Sequence, residues 1–97
     1  MKSKTCNDLL ISNFMQTLYL MNGNELFTTV EIDRYLKEID TISELVFNFF
    51  QDNEKAKTWF ETPNPLLGNT IPLDMIRMLR ISKLLKFVEN LLEENKL

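Results

Sequence analysis

The sequence predicts an all-α fold, a small single-domain bundle of about five helices. Apolar residues recur at helical spacing in every long segment, no stretch alternates with the period of a strand, and the breaks carry capping residues, prolines or glycine. At 97 residues, 44% of them apolar, the chain fits one domain. Such a domain buries roughly 60–65% of the surface its unfolded form exposes, enough to fold without disulfides or a structural metal.

The first helix is predicted over residues 7–21, where Leu10, Ile11, Phe14, Met15 and Leu18 share one face and Asn22-Gly23-Asn24 ends it. Thr28 and Glu31 form a capping box that starts the second: the hydroxyl accepts from the Glu31 amide while the carboxylate accepts from the Thr28 amide. Ile32, Tyr35, Leu36, Ile39, Ile42, Val46, Phe49 and Phe50 then keep helical spacing, with Glu31, Asp33, Arg34, Lys37, Glu38 and Glu44 mostly on the other side. This helix should carry much of the core. Asp52 or Asn53 can cap a short third helix ending near Glu61, with Ala56, Trp59 and Phe60 facing inward. Thr62 stops it, because Pro63 disfavours the α region in the residue before it.

In Pro63-Asn64-Pro65-Leu66-Leu67-Gly68-Asn69, Asn64-Pro65 reads as a cap followed by a first-turn proline and Gly68 as a left-handed exit. This predicts a rigid, ordered turn rather than a linker. Pro72 opens the next helix, with Asp74 placed to favour its N-terminus, and that stretch runs through Met75, Ile76 and Leu79. Ser82 marks a fresh start or a bend. The last helix sets Ile81, Leu84, Leu85, Val88, Leu91 and Leu92 on one face, up to Glu94.

Composition removes most catalytic chemistry. One cysteine, Cys6, and no histidine exclude intramolecular disulfides, Cys/His zinc sites and any arrangement built on a histidine base. Glu89 and Glu93, at i, i+4, have the spacing for metal or acid–base work, but they fall on the polar face of an ordinary helix, where solvation accounts for them. Ser82 and Thr70 have no base nearby that the sequence can name and read as caps. The two glycines lie too far apart for a phosphate loop. The expectation is a protein that is not an enzyme and needs no cofactor or metal. The N-terminus lacks the pattern of a signal peptide and no apolar run nears the ~18 residues of a membrane span, which predicts a cytoplasmic protein with Cys6 an inert thiol.

The formal charge of −3 gives no global reason to bind nucleic acid. Locally, Arg77, Arg80, Lys83 and Lys86 form a basic block with no acid among them. It reads either as a solvated face offsetting neighbouring acids or as a docking surface for an acidic partner or phosphate backbone. Trp59 and Phe60 have the spacing of core aromatics, yet a stiff turn follows them at once, and ordered turns on helical scaffolds are common places for recognition. The long apolar face from Ile32 to Phe50, added to the leucine-rich last helix, predicts a homodimer.

The stretch from Trp59 to Ile76, Trp-Phe-Glu-Thr-Pro-Asn-Pro-Leu-Leu-Gly-Asn-Thr-Ile-Pro-Leu-Asp-Met-Ile, resembles the toxin-binding domain of the Xre/MbcA/ParS-type antitoxins. The family pattern is a tryptophan and an apolar residue, then P-N-x-x-L-G, a short spacer, P-L-D with two apolar residues, and a terminal amphipathic helix. Trp59, Pro63, Asn64, Pro65, Leu67, Gly68, Pro72, Leu73 and Asp74 fall at its positions. More weakly, the likeness extends back to the helix from Glu31 to Phe50 and forward to about Leu92.

The resemblance implies an antitoxin of a bacterial type II pair whose toxin is a RES-domain enzyme that consumes NAD. Neutralisation would come from tight binding that obstructs the toxin's active-site entrance with the C-terminal part of the domain. It further implies that residues 26–97 form the toxin-binding domain and that residues 1–25 are an N-terminal helix, shortened relative to the family's helix-turn-helix region. That region shows no basic recognition helix, which argues against direct DNA binding. Within the motif, Pro63, Pro65, Gly68 and Pro72 would fix the chain direction, Trp59 and Leu67 would pack the turn onto the core, and Asp74 would cap. The toxin would be met by Arg77, Arg80, Lys83 and Lys86 and by Glu93, Glu94 and Leu97 of a tail, 93–97, expected to contribute little to folding. An alternative is a small DNA-binding transcriptional regulator that uses the basic block as a dimer. A RES-type reading frame in the same operon would favour the antitoxin.

Overall fold

Local side-chain chemistry sets the helix starts. In the computed structural model, which describes residues 5–21 and 28–97, α1 (Cys6–Leu20) opens on a capping box formed by Thr5 and Asp8. The Thr5 hydroxyl accepts from the Asp8 amide at 3.1 Å and the Asp8 carboxylate from the Thr5 amide at 3.2 Å. The expected box at Thr28 and Glu31 begins α2 (Thr29–Phe50) with the same reciprocal bonds, at 3.1 and 3.0 Å. Asp52 caps α3 (Asn53–Glu61) by accepting from the Lys55 amide at 3.0 Å. Asn53, the other candidate, instead accepts from the Cys6 amide at 3.0 Å and so ties α3 to the start of α1. The terminator Asn22-Gly23-Asn24 lies outside the described residues.

After α3 come a single 3₁₀ turn (Pro65–Leu67), the short α4 (Pro72–Arg77) and α5 (Ile81–Glu93). The fold is all-α, with five α-helices among the described residues. The spine is α2, which lies most extensively along α5 and also touches α1 and α3, while α4 bridges α1, α3 and α5. Leu10, Phe14, Ile39, Ile42, Val46, Phe60, Ile76, Ile81, Leu84 and Val88 are fully buried in one core.

Two consequences follow from this packing. The inner faces of α2 and α5 cover each other within one chain, so the surface a predicted dimer would bury is the apolar set left exposed elsewhere, Tyr19, Leu20 and Val30 among it. Met15 and Phe49, assigned by periodicity to apolar faces, point outward; the core rows use Leu10, Phe14 and Leu18 on α1 and Ile39, Ile42 and Val46 on α2. Both lie at the margin of a broad stripe, and the position of the neighbouring helices decides which margin is covered.

Polar bonds pin the helices pairwise. Ser43 Oγ lies 2.9 Å from Asn7 Oδ1, joining α2 to α1, and Ser82 Oγ lies 2.8 Å from the Glu38 carboxylate, joining α5 to α2. Among the described residues no buried side-chain nitrogen or oxygen lacks a partner, which keeps the desolvation penalty of unmade hydrogen bonds out of the core. No helix among them is long and apolar enough to cross a membrane.

Candidate functional site

The proline-rich turn closes on its own backbone. Asn64 Oδ1 accepts from the Leu66 amide at 3.0 Å, and the Asn64 carbonyl accepts from Leu67 and Asn69, both at 2.9 Å. Gly68 N–H donates to Pro65 at 3.1 Å, Thr70 N–H to Leu67 at 3.2 Å, and Asn64 N–H to Thr70 at 3.0 Å, which seals the ends of the loop together. As expected, Asn64 is the cap, Pro65 the first-turn proline and Gly68 the left-handed exit, with φ 64°. A Cβ built on Gly68 would meet nothing within 4 Å, so the demand for glycine there is conformational rather than spatial.

Leu67 and Trp59 are both partly buried against the core, the role foreseen for them. The Trp59 ring meets Phe60 edge-on at 5.1 Å and, with Phe50, Lys55, Thr58 and Thr62, lines an open groove of about 420 Å³. Leu66, the residue before Leu67, is 61% exposed.

At α4 the structure corrects the role given to Asp74. The N-cap is Ile71, no side chain caps this helix, and Pro72 takes the first-turn position where an amide would have lacked a partner. Asp74 sits in the first turn, favourable to the helix dipole, and accepts from Arg77 Nη1 at 2.6 Å. Arg77 Nε in turn donates to Asn13 Oδ1 of α1 at 3.0 Å. This member of the basic block is engaged within the molecule.

The break before α5 falls at residues 78–80, not at Ser82. Leu79 adopts a left-handed φ of 60°. Its amide donates to Ile76 at 3.0 Å and the Arg80 amide to Met75 at 2.8 Å, the paired bonds of a Schellman motif in which leucine holds the place usual for glycine. The corner divides the basic block: Arg77 ends α4, Arg80 caps α5, and Lys83 and Lys86 stand exposed on α5 without an ion pair among the described residues.

The same closure recurs at the C-terminus and corrects the expectation of a free tail. Asn95 has φ 56°, its amide donates to Leu92 at 3.1 Å, and the Lys96 amide donates to Leu91 at 2.9 Å. Glu94 pairs with Lys96 at 3.1 Å, and Leu97 packs against the core. Glu93 and Glu94 remain exposed.

No group of three or more Cys, Asp or Glu among the described residues is arranged to hold a metal ion. Cys6 is buried, with its thiol 3.6 Å from the Ser43 carbonyl. Burial pushes its pKa up, against smaller opposing effects from backbone hydrogen bonds, so the thiol stays protonated and serves packing.

The turn, the short helix that follows it and the amphipathic α5 are the parts that a known family shares. The family model for the antitoxin Xre/MbcA/ParS C-terminal toxin-binding domain matches residues 45–93, from the last turns of α2 to the final residue of α5. The chain belongs to this family. No curated protein and no solved structure matches the chain. Membership makes it the antitoxin side of a toxin–antitoxin pair, with a protein toxin as partner. Within this antitoxin's matched span the large exposed apolar side chains are Leu66 at 61%, Met78 at 49%, and Phe47 and Phe49 at 38% each. Sequence reasoning singled out none of them for contact, because periodicity reports which residues share a face and not which neighbours cover it.

Proposed function

We propose that this antitoxin neutralises a RES-domain, NAD-consuming toxin by binding it tightly and obstructing its active-site entrance. The observation that carries the reading is the family match over residues 45–93, centred on a turn whose prolines, glycine and backbone bonds hold one shape. We assign the toxin-binding domain to residues 26–97. The groups assigned to the toxin are Arg80, Lys83 and Lys86 at the start of α5 and Glu93 and Glu94 at its end, all exposed. Arg77, also exposed and held by Asp74 and Asn13, and Leu97, which packs against the core, complete the same surface. An electropositive pocket that holds the phosphates of NAD would favour the two carboxylates over the basic row.

Co-expression with a RES-domain toxin tests this. The expected result is one co-eluting complex and cellular NAD held near the level of toxin-free cells. Undiminished NAD loss in the presence of excess antitoxin, with the two proteins eluting apart, would overturn it.

A further inference from the structure

We infer that Leu66 is a preformed anchor that inserts into an apolar pocket on the surface of the toxin. The inference rests on the proposed toxin partnership and adds to it an apolar contact point besides the charged groups of α5. Leu66 is the most exposed large apolar side chain in the span that matches a toxin-binding domain. Its backbone has no freedom to withdraw: Pro65 precedes it, its amide is held by Asn64 Oδ1 at 3.0 Å, and the loop around it is sealed by the Asn64–Thr70 pairing. Met78, Phe47 and Phe49 are more covered, and the two phenylalanines lie on a helix whose other face packs in the core. Around Leu66 the chain at Pro63, Pro65, Gly68 and Asn69 is also exposed, so the side chain stands out as a knob rather than as part of a sheltered face.

Such a knob suits a protein surface with a matching hollow. Binding would remove apolar surface from water at little ordering cost, since the turn is fixed before contact. The intramolecular bonds of the turn already use its amides at Leu66, Leu67, Gly68, Asn69 and Thr70. Recognition there must therefore come chiefly from shape and apolar contact.

The test is calorimetric titration of the full chain into a catalytically inactive RES-domain toxin, comparing the parent with Leu66→Ala and Leu66→Asp. Melting curves of both variants should overlay that of the parent, because the side chain leaves the fold's contacts untouched. The expected result is about tenfold weaker binding for Leu66→Ala and a larger loss for Leu66→Asp, as for an anchor residue at an interface. Parent and both variants binding with equal affinity would overturn the anchor while leaving the partnership standing. A parent chain that does not bind this toxin at all would overturn the partnership and the anchor together. Conversion of a dimer to a monomer by Leu66→Asp in light scattering, with toxin affinity unchanged, would place Leu66 in a contact between copies and also overturn the anchor.

Discussion

Two corners of this antitoxin turn the chain through the same left-handed backbone region by different means. At residues 63–70 the left-handed step begins at Gly68, φ 64°, between prolines that stiffen the approach. At residues 78–80 it falls on Leu79, φ 60°, with no glycine or proline at the corner itself. A side chain in this region costs about 1–2 kcal/mol relative to the right-handed one. Glycine avoids that penalty, whereas Leu79 offsets it by packing partly buried against the core. The first corner is thus stabilised by its own residues and the second by what lies beneath it.

The largest effect should come from the core that both corners rest on. Phe60→Ala, at a fully buried position near the end of α3, is expected to lower stability by about 3–5 kcal/mol. Chemical denaturation reads this directly, and a loss below ~1 kcal/mol would mean the turn is held by its backbone bonds alone. Next comes Gly68→Ala, where the open space around the glycine isolates the conformational penalty. It should cost about 1–2 kcal/mol, a drop of several degrees in Tm for a domain of this size. An unchanged Tm would show that the loop relaxes out of the left-handed region.

Position 79 sharpens the contrast through a reversal of order. Leu79→Ala loses packing and keeps the strained backbone, while Leu79→Gly loses the same packing and relieves it. The glycine variant should therefore be the more stable of the two by up to ~1 kcal/mol, opposite to the order inside a helix. Alanine ahead of glycine in paired melts would refute a left-handed Leu79.

The smallest effect is expected at the start of α2, where a cap works without any left-handed residue. Glu31 is held below its ordinary pKa of 4.5, first by accepting the Thr28 backbone N–H and then the Thr28 hydroxyl. A depressed folded pKa means that this stabilisation is complete above the unfolded value and is lost as pH falls through the lowered folded one. Glu31→Gln should lower Tm slightly near neutrality and flatten part of its acid decline. Parallel curves for parent and variant between about pH 6 and pH 3 would show that the carboxylate is not held by the cap.

The elements that were legible in the sequence share one property: their chemistry closes within a few residues. Thr28 with Glu31, Asp52 with Lys55, and Asn64-Pro65 through Gly68 satisfy their backbone groups with partners two or three positions away, so residue types and spacing were enough to place the first and last and to narrow the α3 cap to Asp52 or Asn53. The resemblance that led to the family rests on the same local frame, from Trp59 to Asp74. The candidate site was legible to that extent and no further.

Its surface depended on contacts made far along the chain. Arg77 reads as one of four equivalent cations until α1 brings Asn13 to its guanidinium across a separation of 64 residues. Leu97 reads as the end of a polar tail until the closure of α5 turns it onto the core. Leu79 reads as one more residue of a helix until burial makes a left-handed backbone worth keeping. By itself, then, the sequence determined where α2, α3 and α4 start, where the chain is stiff and which faces are apolar, because those follow from hydrogen bonds and sterics among near neighbours. Tertiary structure alone decided which margin of each face is covered, which cations stay free and that Leu66 is left standing outward, because burial is a property of what the rest of the chain brings alongside.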